Sequence, residues 1–172
     1  VGDVGTYLAL TKILIKNNKT KISVGMLRNN EYNFAIIPSN KTFRASNPNL
    51  TVLQLVCCYK LNEKQKDLIE YTKHIIKKAN INTTYNQKAK TLSGGMLQRL
   101  ILERELDTNP KIIILCESLQ GLDKQSSLNF CNRILDHVSK GNIAIALHNS
   151  EFPENICNAV YTLNNGYCTK EK

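Results

Sequence analysis

Thr91-Leu92-Ser93-Gly94-Gly95-Met96-Leu97-Gln98-Arg99 is the stretch on which the reading of this chain turns. A hydroxyl and two glycines at the start of a helix leave backbone N–H groups uncovered, and the aligned peptide dipoles add positive potential there. Such a terminus suits a phosphate group. The same three residues also serve as an ordinary N-cap and turn, so the surroundings decide. Downstream, the helix that Ser93 starts should run to about Leu106, where Asn109-Pro110 stops it before the continuous apolar run Ile112-Ile113-Ile114-Leu115-Cys116. That run reads as a strand buried on both faces. It delivers Glu117, followed by Gly121-Leu122-Asp123.

Asp123 can cap a further helix, with Leu128, Cys131, Ile134, Leu135 and Val138 at helical spacing and Gly141 just beyond its end. A second buried strand, Ile143 to Leu147, is expected next and ends at His148. A carboxylate at the carboxyl end of a central strand lies on the ligand-binding edge of an α/β sheet, so Glu117 is placed to act on a nucleotide. His148 falls on the same edge. Taken singly, Glu117 reads equally as a surface acid and His148 as a satisfied strand-end histidine; their order along the chain makes them specific together.

Upstream, Lys21 to Val24 and Tyr32 to Ile37 read as strands, the second stopped by Pro38. A loop rich in Ser, Asn and Pro is expected from Ser39 to Pro48. Leu61, Leu68, Tyr71, Thr72, Ile75, Ile76 and Ala79 follow the spacing of an amphipathic helix ending near Asn80. Ala159 to Leu163 and Tyr167 to Thr169 look like short strands joined through Asn164-Asn165-Gly166. The whole is an α/β layout with a mainly parallel sheet covered by helices.

Composition narrows the class. At 172 residues the chain is long enough for one real core, and no window approaches the roughly 18 consecutive apolar residues of a membrane-spanning helix. Val1-Gly2-Asp3-Val4-Gly5 has neither an initiator Met nor a secretory signal, and the chain is expected to be a piece of something longer. The net charge of +9 suggests an anionic partner, yet only Arg28, Arg44, Arg99, Arg104 and Arg133 among the basic residues are arginine. Abundant Lys, Asn and Ile fit compositional drift as well as a binding patch, and no nucleic-acid partner is expected. Six cysteines make no C-x-x-C pair; small buried hydrophobes in a reducing compartment is the favoured reading, and no metal site is expected.

Leu92-Ser93-Gly94-Gly95, the strand ending at Glu117, Gly121-Leu122-Asp123 and His148 together resemble the signature motif, Walker B strand, D-loop and switch histidine of an ABC-type ATPase. The resemblance covers about residues 2 to 168. It implies a P-loop NTPase-like core with a mainly parallel sheet and a helical signature subdomain inserted at about residues 50–105. Residues 1–172 would then form a partial ATPase domain that begins within its phosphate loop. The run from Asn82 to Met96, with Leu102 to Leu106 and Asn109-Pro110-Lys111, is similar to the second ATPase domain of fused subunits that energise nucleoside and simple-sugar importers. Ile37-Pro38-Ser39 resembles the Q-loop segment, with Ser39 where Gln or Glu is usual, and Asn158 stands where an Asp is common.

The departures bear on mechanism. No G-x-x-x-x-G-K-S/T is present; the nearest candidate is Gly2-Asp3-Val4-Gly5-Thr6, with Gly2 and Thr6 as its nucleotide-binding residues. Asp3 there would set a negative charge against phosphate where a lysine belongs. Cys116 replaces the Walker B aspartate, and a thiol is a poor ligand for Mg2+. Met96 replaces the usual polar fifth residue of the signature.

Through the resemblance, Ser93 and the N–H groups of Gly94 and Gly95 would contact, in trans, the γ-phosphate of ATP held by a second ATPase domain, with Asp123 coupling the two sites. Glu117 would orient the attacking water and His148 sense the γ-phosphate in this domain's own, weakened site. ATP and Mg2+, the latter held mainly by the partner domain, are the implied cofactors. Membrane-spanning permease subunits, docked on the segment Ser39 to Leu53 and the helix from about Glu63 to Ala79, are the implied partners, with a substrate-binding protein reached indirectly. The implied location is peripheral, on the cytoplasmic face of the cell membrane. A non-transport ATPase of translation or DNA repair, and a catalytically dead docking domain, are the competing readings.

Overall fold

The computed structural model describes residues 34–46, 49–58, 60, 63–148, 152–164 and 167–171. Gly2, Asp3, Thr6 and the expected strand from Lys21 to Val24 lie outside the described residues. Three parallel strands, β1 (Phe34–Ile37), β2 (Ile112–Cys116) and β3 (Ile143–Leu147), form one sheet in the order β1-β2-β3. Their register sets Ile37 beside Leu115 and Cys116 beside Leu147. All three strands therefore finish level at one edge.

Among the described residues, the path from β1 to β2 runs through four α-helices, α1 (Asn40–Ser46), α2 (Val52–Val56), α3 (Gln65–Lys78) and α4 (Gly94–Leu106), with a short 3-10 turn at Ala89–Thr91 before the last. The segment from Ser39 to Pro48, expected as a loop, is thus helical from Asn40 to Ser46. Ser39 looks like a breaker, but its hydroxyl accepts from the Thr42 amide at 3.2 Å as an N-cap, and Phe43 is buried in the main core. α3 begins at Gln65 and buries Thr72 and Ile75, with Asp67 in its first turn and Lys77 and Lys78 in its last, as the helix dipole favours.

α4 is buried almost all round, from Leu97 to Glu105 except at Arg99, and forms the spine of the molecule. Two arginines fasten it. Arg104, fully buried, donates from Nε to Glu105 at 2.8 Å and from Nη1 to the Leu55 carbonyl of α2 at 3.0 Å. Arg133, on α5 (Lys124–Ser139), grips the Glu103 carboxylate in a fork, at 2.6 and 2.7 Å.

The main core joins Ile37, Leu97, Leu100, Ile101, Ile113, Leu115, Phe130 and Ile134 on one face of the sheet. Phe34, Ile36, Ile114 and Cys116 cluster on the other face. β3 differs from the expected doubly buried strand. Its Ala144 and Ala146 pack on the main core, whereas Ile143 and Ile145 on the opposite face are 54% and 45% exposed. Strand alternation turns those isoleucines onto the face away from α5. Leu128 and Leu135 of α5 are also exposed, so the apolar stripe of that helix is narrower than its periodicity implies. The last strands, β4 (Tyr161–Asn164) and β5 (Tyr167–Lys170), pair antiparallel as expected. All six cysteines are free thiols. No helix among the described residues is long and apolar enough to cross a membrane.

Candidate functional site

Two groups of expected residues assemble at the carboxyl edge of the sheet and beside it. The first forms because β2 and β3 end in register: the residues that follow, Glu117 and His148, emerge side by side, with His148 Nδ1 3.5 Å from Glu117 Oε2. The Glu117 amide donates to the Leu147 carbonyl at 3.0 Å, extending the ladder one step beyond β2. Glu117 takes a left-handed backbone conformation, φ 51°, which a non-glycine residue adopts only when its surroundings hold it there. Phe152 stands against the His148 ring, centroids 5.6 Å apart. A carboxylate and an imidazole so placed can together accept a proton and orient a polar ligand.

Cys116 immediately precedes this pair, buried with Phe34, Ile36 and Ile114. Burial, reinforced by the Glu117 carboxylate, pushes its thiol pKa up to about 12. A thiol that keeps its proton among apolar side chains does not fit Mg2+, which takes oxygen ligands. Ser39, in the Q-loop-like segment, is buried and engaged as the N-cap of α1. Among the described residues, Cys116 and Ser39 therefore supply no ligand for magnesium at this edge.

The second group gathers at the N-terminus of α4. Ser93 is exposed and caps the helix, its hydroxyl oxygen accepting from the Met96 amide at 3.1 Å. The N–H groups of Gly94 and Gly95, in the first turn, have no i−4 carbonyl within the helix. Asp123 lies alongside. Its Oδ1 accepts from the Ser126 amide at 2.9 Å and its Oδ2 from the Ser126 hydroxyl at 2.6 Å. Those hydrogen bonds, the hydroxyl's first, hold its carboxyl below the usual Asp range.

Neither glycine has room to spare. A Cβ on Gly95 would sit 2.8 Å from Ser126 Oγ, and one on Gly94 would sit 3.2 Å from Asn40 Nδ2 and 3.6 Å from the Gly121 carbonyl oxygen. Gly121 itself turns at φ 73°. The signature-like stretch and the segment from Gly121 to Asp123 thus form one corner. An uncovered helix N-terminus with a hydroxyl at its rim fits a phosphate group.

Four residues outside the expected set tie these parts together. Gln98 of α4, buried, donates to the Pro38 carbonyl at 2.9 Å. Ser118 donates to the Ile37 carbonyl at 2.7 Å, Asn40 to the Gln120 carbonyl at 3.2 Å, and Arg44 of α1 to the Leu92 carbonyl. Gln98 lies in the signature-like stretch, but it shares α4 with Arg99, Glu103, Arg104 and Glu105, so its polarity alone did not mark it. Asn40, Arg44 and Ser118 had no sequence signal, because their partners are backbone carbonyls 48 to 81 residues away.

The chain matches the ABC transporter family over residues 9–120. It is 33% identical over 116 residues to the probable riboflavin import ATP-binding protein RfuB of Treponema pallidum, covering 66% of this chain and 20% of that protein. It is 28% identical over 150 residues to the xylose import ATP-binding protein XylG of Moorella thermoacetica, covering 83% of this chain and 28% of that protein. The chain spans less than a third of the length of these relatives. Among solved structures, a nucleotide-free ATP-binding cassette from an ABC transporter superposes with a TM-score of 0.60 at 21% identity, covering 80% of this chain and 60% of that one.

Proposed function

Since this chain belongs to the ABC transporter family and folds as an ABC ATPase cassette, we propose that it is the ATP-binding component of an importer, acting mainly on ATP held by a second ATPase domain. The observation that carries this reading is the contrast between its two groups of residues. The corner of Ser93, Gly94, Gly95 and Asp123 has the uncovered helix terminus that a phosphate needs. The edge of Cys116, Glu117 and His148 has a protonated, apolar-packed thiol where a magnesium ligand is required.

On this reading the Ser93 hydroxyl and the Gly94 and Gly95 N–H groups bind the terminal phosphate of ATP presented by the partner domain. ATP, when bound there, supplies the phosphoanhydride bond whose hydrolysis drives transport. Asp123, fixed by Ser126, lies beside that phosphate contact and links the two sites. Glu117 and His148 retain the geometry to orient water and sense a phosphate in this domain's own site, but without a metal-holding residue between β2 and that edge their contribution is small. Gly2 and Thr6 are the nucleotide-contacting residues of that weaker site.

Import of simple sugars or nucleosides is the transport we assign, supported by relatives whose names include xylose and ribose import. The partners are then permease subunits, met by the segment from Ser39 to Leu53 and by α3, and indirectly a substrate-binding protein. The protein would work at the cytoplasmic face of the membrane. The test is ATP hydrolysis by the assembled transporter. Ser93→Ala should lower it at least about tenfold, the loss expected for a preorganised donor to transition-state charge. Cys116→Val should leave it within about twofold. Full activity in the Ser93 variant would contradict the proposal.

A further inference from the structure

Asn40 stands where three segments meet, at the first position of α1, directly after Ser39. Its Nδ2 donates to the Gln120 carbonyl at 3.2 Å, next to the left-handed Gly121. The same nitrogen lies 3.2 Å from where a Cβ on Gly94 would be and 4.0 Å from where one on Gly121 would be. One amide thus faces both the N-terminus of α4 and the turn that leads to Asp123.

We infer that Asn40 is a positioning residue that sets Gly94 and the Gln120–Gly121 turn at the spacing needed to receive a phosphate, and does so without adding a second negative charge to the one Asp123 brings to that corner. This rests on the proposed binding of a partner's ATP by Ser93, Gly94 and Gly95. The chemistry requires an amide. A carboxylate of the same shape cannot donate to the Gln120 carbonyl, and it would place an anion in the field that draws phosphate to the helix terminus. An alanine would remove the tie and add no charge. Gln98 and Ser118 hold the carbonyls of Pro38 and Ile37 just before it, so the backbone that presents Asn40 is fixed from both α4 and the segment after β2.

Folding and positioning separate cleanly here. Asp at the first turn of a helix is favourable through the dipole, which offsets the loss of the tie to the Gln120 carbonyl, so Asn40→Asp should shift the Tm by no more than about 4 °C. The test compares wild type, Asn40→Asp, Asn40→Ala and Ser93→Ala in the assembled transporter, measuring kcat and KM for MgATP together with Tm. Asn40→Asp is expected to raise KM on the order of tenfold with the Tm within about 4 °C of wild type, the charge being set against the first turn of α4 at Gly94. Asn40→Ala is expected to lower kcat more than it raises KM. If Ser93→Ala impairs hydrolysis while Asn40→Asp leaves both kinetic constants at wild-type values, the inference is overturned and the trans reading stands. If neither variant changes them, both are overturned.

Discussion

Gly95 shows how tightly single residues define the corner. Its hypothetical Cβ would meet Ser126 Oγ at 2.8 Å, and that hydroxyl is held at 2.6 Å by Asp123. Gly95→Ala should therefore destabilise the protein by about 1 kcal/mol net, a steric cost partly offset by the better helix propensity of alanine. Ser126→Ala removes the clash but also the hydroxyl's bond to Asp123, so the effect of Gly95→Ala should be read within that background, where urea unfolding should show no cost or a gain. A Gly95→Ala cost undiminished in the Ser126→Ala background would show that the close approach is not the cause. Asp123 yields a pH prediction. Its carboxyl is more acidic folded than unfolded, so its contribution to stability is complete above the ordinary Asp pKa and is lost as pH falls through the lower folded value. Thermal melts should show a Tm drop below about pH 4 that is smaller in Ser126→Ala; equal drops would remove Ser126 as the source. Ser93 and Asp123 were legible in sequence because capping is local chemistry, resolved within three residues. Asn40 was not, because its partner lies 80 residues away.

The helices divide according to how their signals arise. α4 and α5 begin where Ser93 and Asp123 cap them, and α5 stops before Gly141 at φ 81°, so both were readable from residue type alone. α1 was hidden. Asn, Ser and Thr disfavour helix interiors, and only the burial of Phe43 and the tie from Arg44 to Leu92 make a helix the better solution there. β3 was legible as a strand but not in its burial, since apolarity says nothing about which neighbours cover a face. The element most dependent on a single residue is α4, through Arg104. Its guanidinium is fully buried and reaches both Glu105 and the Leu55 carbonyl, so its loss leaves a buried carboxylate and an unpaired carbonyl. Arg104→Ala should cost about 3–5 kcal/mol by urea unfolding. A cost under about 1 kcal/mol would mean that α2 and α4 are held by apolar packing alone.

The whole molecule combines a retained frame with an altered centre. Parallel strands finishing level bring Glu117 to His148, and the helical connection from β1 to β2 carries Ser93 to the corner that Asp123 completes. The family frame was legible because motif order and spacing survive substitution. The state of the centre needed the structure, which shows Cys116 packed into an apolar cluster. The +9 charge, which alone would suggest nucleic acid, is not needed at that corner, where the groups proposed to meet phosphate are backbone N–H groups and a hydroxyl. On the proposed reading, a pair of ATPase domains built on this plan would have one competent site, at the partner's phosphate loop closed by Ser93. The number of nucleotides retained per pair measures this directly, with the assembled transporter trapped in MgATP and vanadate, freed of unbound nucleotide and assayed for bound adenine. One nucleotide per pair, reduced by Ser93→Ala, is expected; two per pair, with the second retained on this chain, would contradict it.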